Sequence, residues 1–385
     1  MIFEPVIKYT ANFHLTHQCN MRCGYCYAGE KTNLSMSDEV IEQSIEFVLQ
    51  EVEKKKVNKL VLAFLGGEPL MERKKLFYIQ DEFRRRLGEE FKIVSQLSTN
   101  GLLLTDAVMA EITRRKILVS FSLDGTPETM QRQRPTLGQS DYSRIIDRSI
   151  RHVLKYNPMT NAFCVITPES AGDVFENVTW IYDQGMRFIH TTLDYSANWT
   201  YSDFERLAKE YQKLALWYEE KARNREHFYL SCFDERIQTR TKKPVACEGK
   251  CSIGNNQISI SPEGTLYPCI QFVKPAHEAD QSVQLGDLKH GKDKNRIDRL
   301  QADIIKEKPE CKGCALKDRC TTWCSCINYA STQTVTQASP VACHHEQTLI
   351  PIVDRMGNRL WKEKNDLFVQ KHYNPLYNLV AQAMA

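Results

Sequence analysis

The chain has 385 residues, 42% of them hydrophobic, and a formal net charge of +3, so it is long enough for two domains. This small charge, without basic stretches interleaved with aromatics, argues against a nucleic-acid partner, and no apolar run is long enough to cross a bilayer. The first 30 residues carry no export signal, so we expect a cytoplasmic protein. In that compartment the 14 cysteines favour metal ligands or redox groups over disulfides.

Alternating strands and helices are predicted before residue 230. Strands are expected near Phe13 to Thr16 and over 59–65, 117–123, 161–167 and 187–193, with helices over 37–55, 70–90, 141–155 and 171–184. About six such units fit, fewer than the eight of a closed barrel. The predicted fold class is therefore α/β, an open, partial (β/α)6 TIM-like barrel whose reactive groups lie on loops at the C-terminal strand ends.

The cysteine distribution predicts the domain boundaries. Three cysteines lie before residue 30, and nine fall between Cys247 and Cys343. We therefore expect a barrel over 1–235, a Cys-rich domain over 236–348 and a C-terminal helical tail over 349–385.

Three cysteines share one loop after the first predicted strand. Cys19, Cys23 and Cys26 have the spacing CxxxCxxC. An iron–sulfur cluster takes four thiolates, so a local set of three predicts a [4Fe–4S] centre with one iron free for another ligand. A three-thiolate zinc site, or three unrelated buried cysteines, is the simpler alternative.

Polar residues follow the next three predicted strands. The segments are GGEP at 66–69, STNG at 98–101 and SLDG at 122–125. Paired glycines let a ligand approach the backbone, and the Glu68 carboxylate could hold an ammonium group. Each segment alone could also be only a turn.

Taken together, these motifs resemble the radical SAM enzymes, which cleave S-adenosylmethionine reductively. The cysteine loop, with Tyr25 before its last cysteine, and GGEP carry the resemblance, which covers residues 8–230. It implies that Cys19, Cys23 and Cys26 bind the cluster, and that a 5′-deoxyadenosyl radical abstracts a substrate hydrogen. The S-adenosylmethionine contacts that it implies are Glu68 on the amino group, Ser122 and Arg134 on the ribose and carboxylate, and Tyr25, Gly66, Gly67, Asn100 and Leu193 around them.

The later cysteines have a second, stricter spacing. Cys251 precedes Gly264 and Cys269, and a CxxCxxxxxCxxxC run from Cys311 to Cys324 precedes Cys343. This pattern resembles the SPASM extension, which carries two auxiliary [4Fe–4S] clusters, making three in all. The resemblance implies one cluster on Cys251, Cys269, Cys324 and Cys247, and another on Cys311, Cys314, Cys320 and Cys343. A pair of zinc ribbons is the alternative.

Three further side chains are candidate catalytic residues. Asp194 ends the sixth predicted strand, where it could be a base or a substrate contact, and a surface cap or turn fits equally. Asp124 has similar standing, and Asp-Gly favours turns. Cys326, two residues after Cys324, is an alternative ligand, a substrate-facing thiol or a buried neighbour of the cluster.

The substrate class is implied by the resemblance. SPASM relatives include anaerobic sulfatase maturases, which oxidise Cys or Ser to formylglycine, and maturases that cross-link ribosomally made peptides. In the sulfatase maturases a proton-accepting Asp follows the cysteine that matches Cys269, and here Ile270 stands in that place. We therefore predict a radical SAM peptide maturase that forms a thioether or C–C cross-link or an oxidised residue. Formylglycine generation is the alternative, and a non-catalytic iron–sulfur electron carrier is the alternative from another class.

The expected partners follow from the same resemblance. They are a peptide or protein substrate and an electron donor such as flavodoxin or ferredoxin, with no nucleic acid and no membrane. Many peptide maturases carry a leader-binding domain before the barrel, yet the cysteine loop begins here by residue 19. Either a separate leader-binding protein or direct contact with the barrel is therefore expected.

Overall fold

The computed structural model describes residues 6–138, 142–241 and 253–374. The chain forms two compact units, each assembled from three segments. Unit 1 comprises Met1–Ser122, Arg134–Tyr156 and Cys251–Ile305, and unit 2 comprises Leu123–Gln133, Asn157–Lys250 and Lys306–Ala385. The predicted boundaries at 235 and 348 stay predictions beside this interleaved division. In the described part of the chain, no helix has the length and apolarity needed to span a membrane.

The elements alternate as predicted in the first half of the chain. The strands are β1 Lys8–His14, β2 Lys59–Leu65, β3 Lys92–Thr99, β4 Ile117–Ser122, β5 Asn161–Ile166, β6 Phe188–Leu193, β7 Tyr229–Leu230, β8 Gln257–Ile260, β9 Thr265–Tyr267, β10 Gly286–Asp287 and β11 Gly291–Lys292. The helices are α1 Asp38–Lys54, α2 Arg73–Leu87, α3 Asp106–Arg114, α4 Pro127–Gln133, α5 Tyr142–Tyr156, α6 Val174–Asp183, α7 Tyr201–Arg223, α8 Ser231–Thr241, α9 Lys294–Ile305, α10 Ser325–Thr332, α11 Pro340–Lys362 and α12 Asp366–Tyr373.

Unit 1 is built on parallel strands in the order β1-β2-β3-β4. Along β4, the buried residues Ile117, Val119 and Phe121 alternate with partly exposed ones. Phe13 on β1 contacts Phe64 on β2 and Phe83 on α2, with ring centroids 6.0 Å apart in each pair. All four strands run in one direction, so their C-terminal ends and the loops that follow share one edge of the sheet.

The same sheet continues on the other side of β1. Strand β8 pairs with β1 in parallel, and β9, β10 and β11 add antiparallel strands. Asn12 is buried at this junction, where its Nδ2 donates to the Ile258 carbonyl (3.0 Å) and to Ser259 Oγ (3.1 Å). Four strands of the region after residue 250 thus complete the sheet of unit 1.

Unit 2 has parallel strands β5, β6 and β7, with helices around them. Two buried ion pairs join its helices. Arg236 on α8 binds Glu346 on α11 (2.7 Å), and Asp234 on α8 binds Lys371 on α12 (2.7 Å). These pairs attach the C-terminal helices to the rest of the unit.

Two predicted elements have different bounds in the structure. The first strand was predicted near residues 13–16 and instead occupies Lys8–His14, because its polar residues obscure the apolar pattern. The helical tail is present, but α11 begins at Pro340, upstream of the predicted 349, with Ser339 as its N-cap. Residues 375–385 lie outside the described residues. The predicted α/β class with a parallel sheet and a helical tail is confirmed.

Candidate functional site

The cysteine loop of unit 1 follows β1 and brings three thiols together. Cys19, Cys23 and Cys26 are all partly exposed. Backbone bonds hold the loop: the Arg22 N–H donates to the Pro135 carbonyl (2.8 Å), and the Cys26 N–H donates to the Cys23 carbonyl (3.2 Å). The loop therefore presents three sulfur ligands from one fixed segment.

Several donors surround these sulfurs. Cys19 Sγ accepts from the Met21 N–H at 3.4 Å and from Asn100 Nδ2 at 3.8 Å. Cys26 Sγ lies 2.9 Å from Lys31 Nζ. Burial raises the pKa of the Cys19 thiol to about 11, and the Met21 hydrogen bond opposes that rise. A thiol that binds a metal loses its proton to the metal, so Cys19 would become a thiolate only as a ligand at neutral pH.

The GGEP segment at the end of β2 lies directly against this loop. The Gly67 N–H donates to the Thr16 carbonyl (2.7 Å), and the Glu68 N–H donates to the Gln18 carbonyl (2.8 Å). A Cβ at Gly67 would stand 1.9 Å from the Gln18 carbonyl oxygen, and one at Gly66, where φ is +139°, would stand 2.4 Å from the Thr16 oxygen. Only glycine therefore allows this approach of the two segments.

Glu68 is buried with a carboxylate that has one acceptor position to spare. Its oxygens accept from Thr99 Oγ1 (2.8 Å), the Leu70 N–H (3.0 Å) and the Asn100 N–H (2.8 Å). A carboxylate offers about four lone-pair positions, so a ligand amino group could occupy the fourth. Burial raises the pKa of Glu68 to about 7, and the hydrogen bond from Asn100 opposes the rise.

The structure brings most of the other predicted contacts to the same unit. The Arg134 guanidinium lies 5.2 Å from the centre of the Tyr25 ring, and Asn100 Nδ2 bonds Asn20 Oδ1 (2.7 Å) on the cysteine loop. Ser122 is the last residue of β4. Leu193 is buried at the end of β6 and belongs to unit 2.

The two candidate aspartates lie just after strands β4 and β6. Asp124 is buried, with Oδ1 accepting from the Val165 N–H (2.9 Å) on β5 and Oδ2 from Gln133 Nε2 (3.0 Å) on α4. Asp194 Oδ1 accepts from both the N–H (3.0 Å) and the hydroxyl (2.6 Å) of Ser196. The contacts of Asp194 are local, as in a turn, and those of Asp124 join separate elements. The catalytic roles of both residues stay predictions.

A second cysteine group lies within unit 2. Burial and the neighbouring thiols of Cys311, Cys320 and Cys314 raise the pKa of Cys343 to about 11, so these three cysteines lie near Cys343. The buried Thr322 hydroxyl is 2.8 Å from Cys320 Sγ and 3.9 Å from Cys311 Sγ. The four residues predicted to share one cluster are thus neighbours.

The spacing of these sulfurs bears on the zinc alternatives. With Zn–S bonds of about 2.3 Å, a tetrahedral ion needs sulfurs roughly 3.8 Å apart. Within the described ranges, the side chains of Glu30, His277 and Glu278 have their ligand atoms within 4.8 Å of one another. All three are exposed, and this group includes no cysteine. No three sulfurs of the described cysteines therefore stand as close together as around a bound zinc ion, and the assignment of these cysteines to zinc or to iron–sulfur clusters stays a prediction.

Two of the remaining predicted ligands belong to different units. Cys269 lies in unit 1 and is partly exposed. Burial raises the pKa of Tyr27, and the neighbouring thiols of Cys26 and Cys269 raise it further. In unit 2 a hydrogen bond from Cys326 lowers the pKa of Cys324 to about 7. Cys247 and Cys251 lie outside the described residues.

Sequence reasoning missed two neighbours of the sulfurs. Thr322 lies between the predicted ligands Cys320 and Cys324, and a hydroxyl residue inside such a motif is a weak signal. Lys31 carries no motif at all, and only its distance to Cys26 identifies it.

Comparisons with known proteins agree with this geometry. The chain is 26% identical over 326 residues to the cysteine-type anaerobic sulfatase-maturating enzyme of Clostridium perfringens strain 13, covering 80% of this chain and 85% of that protein. It is 21% identical over 389 residues to the serine-type enzyme of Bacteroides thetaiotaomicron, covering 92% of each.

Solved structures show the same fold. Native anSMEcpe with bound AdoMet matches with a TM-score of 0.76 and 21% identity, covering 91% of this chain and 99% of that one. Streptococcus suis SuiB bound to its precursor peptide SuiA matches with a TM-score of 0.58 and 14% identity, covering 88% and 76%. The profile of the Radical SAM superfamily matches residues 13–211, which include the cysteine loop and GGEP. Because this match spans more than half of the sequence, the chain belongs to the Radical SAM superfamily.

Proposed function

We propose that this enzyme oxidises a cysteine or serine side chain of a protein or peptide to formylglycine, as anaerobic sulfatase-maturating enzymes do. The observation that carries the proposal is similarity along nearly the whole chain: relatives of both the cysteine type and the serine type cover 80% and 92% of it. The alternative drawn from the sequence is thus better supported than the peptide cross-linking that the sequence favoured.

The first step of the proposed reaction takes place at the cysteine loop. Cys19, Cys23 and Cys26 would hold a [4Fe–4S] cluster, which with bound S-adenosylmethionine would supply a 5′-deoxyadenosyl radical. Glu68 would accept a hydrogen bond from the amino group of S-adenosylmethionine through its fourth acceptor position. Gly66 and Gly67 keep the Glu68 backbone against the loop, so this carboxylate stays near the cluster.

Two auxiliary clusters would remove the second electron. Formylglycine formation removes one hydrogen atom from the substrate carbon, and then one electron from the resulting radical together with one proton from its thiol or hydroxyl, and that electron needs an acceptor. Serine then gives the aldehyde directly, whereas cysteine gives a thioaldehyde, which water hydrolyses to the aldehyde with release of sulfide. We assign one cluster to Cys311, Cys314, Cys320 and Cys343, and the other to Cys269 and Cys324 with Cys247 and Cys251. Zinc at these positions would provide no electron path. Flavodoxin or ferredoxin is the proposed donor for the first cluster.

Ile270 marks a difference from the sulfatase maturases. It begins a short 3-10 helix, Ile270–Phe272, directly after Cys269, at the place where those enzymes carry a proton-accepting Asp. A different proton acceptor, or water, would then take the substrate proton in this chain.

Cross-linking of a ribosomally made peptide is the second candidate function. It is favoured by Ile270 and by the fold shared with SuiB, whose solved complex contains a precursor peptide. A separate leader-binding protein remains a possible partner under this candidate.

One assay separates the two candidates. Anaerobically reconstituted enzyme is incubated with S-adenosylmethionine, dithionite and a synthetic peptide carrying a single Cys or Ser, and the peptide is analysed by mass spectrometry after aldehyde capture. Formylglycine formation predicts an aldehyde adduct at that residue, absent with Cys23→Ala. Loss of two hydrogens without any aldehyde would instead support a cross-link and overturn the proposal.

A further inference from the structure

The cluster thiolate of Cys26 has a cationic neighbour. Lys31 Nζ is 2.9 Å from Cys26 Sγ and also 2.9 Å from the Gly29 carbonyl oxygen. We propose that Lys31 is a positioning residue that acts through Cys26 to raise the reduction potential of the cluster that cleaves S-adenosylmethionine. This inference rests on the proposed cluster at Cys19, Cys23 and Cys26.

Lys31 differs in charge and distance from the donors that contact Cys19 in the same loop. Cys19 receives a backbone N–H at 3.4 Å and an amide N–H at 3.8 Å, both neutral and both longer. A hydrogen bond between an ammonium and a thiolate is charge-assisted and stronger than a neutral one. The contact at Cys26 therefore has the larger electrostatic effect of the three.

The loop segment that binds the Lys31 ammonium is itself held by contacts with Glu278 and His277. Glu278 accepts the Glu30 N–H (2.9 Å), and a Cβ at Gly29, where φ is +70°, would stand 2.4 Å from the Glu278 carboxylate. His277 Nε2 lies 2.9 Å from Glu30 Oε2. The Gly29 carbonyl that binds Lys31 is thus fixed by contacts with a second segment of unit 1.

The physical consequence concerns the electron that starts the reaction. An added electron makes the cluster and its thiolates more negative, so a fixed positive charge beside Cys26 stabilises the reduced state more than the oxidised state. The electron comes from the external donor, and the reduction transfers no proton. At any given donor potential a larger share of the cluster is then reduced and able to react.

The test uses three substitutions at Lys31 in the full-length, anaerobically reconstituted protein. Lys31→Met removes the charge and the donor, Lys31→Gln keeps a neutral donor, and Lys31→Arg keeps the charge. Lys294→Met is the control, because the Lys294 side chain is 88% exposed and pairs only distantly with Asp298 (3.9 Å). Iron and sulfide content is measured for every variant.

The readout is a potentiometric titration followed by EPR. Only a cluster with an open iron changes its EPR signal when S-adenosylmethionine is added, so that signal reports on this cluster and not on auxiliary ones. We expect Lys31→Met to lower the ratio of reduced to oxidised cluster about tenfold at fixed potential, a shift of about 59 mV for one electron. Lys31→Gln should shift less, and Lys31→Arg and Lys294→Met should match the wild type.

Two results would overturn the inference. One is a fully loaded Lys31→Met protein with the wild-type potential. The other is loss of the cluster in both Lys31→Met and Lys31→Gln, which would make Lys31 a purely structural residue. A wild-type protein without any signal that responds to S-adenosylmethionine would instead show that the proposed cluster site has failed. A product other than formylglycine would refute only the proposed reaction and leave the role of Lys31 intact.

Discussion

At the scale of single residues, Glu68 makes the most specific contribution to the proposed site. Its carboxylate is buried and bound by three donors, and one acceptor position remains. Glu68→Gln keeps the shape and removes the charge. Because hydrogen bonds to charged groups contribute about 1.5–3 kcal/mol, we expect the Kd for S-adenosylmethionine to rise about tenfold or more.

Equilibrium binding to the reconstituted protein measures this change, with iron content checked in parallel. Glu42→Gln is the matched control, because Glu42 lies on α1 with a side chain that is 44% exposed. An unchanged Kd in a fully loaded Glu68→Gln protein would contradict the assigned contact.

His14 predicts how stability depends on pH. Burial lowers its pKa from 6.5 to about 3, and within the described structure its Nε2 has no hydrogen-bond partner. The unfolded chain binds a proton at this residue below pH 6.5 and the folded chain does not. The contribution of His14 to the free energy of unfolding is therefore fully present above pH 6.5. It is lost as the pH falls toward 3, by about 1.4 kcal/mol per pH unit.

The substitution His14→Gln isolates this contribution. Between pH 6.5 and pH 5 the free energy of unfolding of the variant should fall by about 2 kcal/mol less than that of the wild type. Anaerobic urea unfolding at the two pH values measures the difference. Parallel losses in both proteins would show that His14 is protonated in the folded state.

At the scale of elements, the end of β2 and the cysteine loop depend on each other. Gly67→Ala would place a Cβ 1.9 Å from the Gln18 backbone oxygen, so one of the two segments must move. We expect the variant to lose the cluster of this loop, with iron falling from about twelve to about eight per chain. Gly24→Ala is the control on the same loop, because a Cβ there meets nothing within 4 Å. Equal iron in both variants would contradict the expected dependence.

The pairing of α8 with α11 gives a second prediction at this scale. Arg236 and Glu346 are both buried and joined by two hydrogen bonds of 3.1 and 2.7 Å, and Glu346 also accepts from Thr321 Oγ1 (2.8 Å), beside Cys320. Glu346→Gln removes the buried counter-ion of Arg236 and leaves, of the described carboxylates, only the half-exposed one of Glu235, 3.1 Å away. Breaking such a pair costs about 3–5 kcal/mol.

Thermal unfolding measures this loss, and the chain offers a matched exposed pair. Arg223 and Glu363 interact at 2.8 Å with side chains 46% and 43% exposed, so Glu363→Gln should cost less than about 1 kcal/mol. Similar unfolding temperatures for the two variants would contradict the difference that burial predicts.

At the scale of the whole molecule, the strands that could be predicted are those with continuous apolar runs. The predicted span 59–65 matches β2, whose sequence KLVLAFL is typical of a buried parallel strand. Only the end of β1 was predicted, because polar residues such as Asn12 interrupt its apolar pattern. Asn12 is buried there through its hydrogen bond to Ile258 on β8, 246 residues away. Strands β7 to β11 have two to four residues, too few for a period to be read.

The residues of the candidate site also fall into those that the sequence could indicate and those that it could not. Cysteines at fixed spacing can be identified from the sequence as candidate ligands, because a cluster needs its thiolates at defined intervals along a loop, and their assignment to clusters stays a prediction. Lys31 and the acceptor geometry of Glu68 could not be found, since both depend on distances between segments that no local pattern encodes. Asp124 and Asp194 were candidates by position alone; Asp194 bonds locally to Ser196, whereas Asp124 bonds to Val165 on β5.

The measurement that tests the central claim most directly is a count of iron and sulfide in the anaerobically reconstituted protein, made together with an assay for 5′-deoxyadenosine under reductant. About twelve irons per chain, with reductive cleavage of S-adenosylmethionine, is the predicted result for three [4Fe–4S] clusters in a radical SAM enzyme. About four irons, or zinc in place of the auxiliary clusters, would contradict the assignment of the later cysteines and the electron path that the proposed oxidation needs.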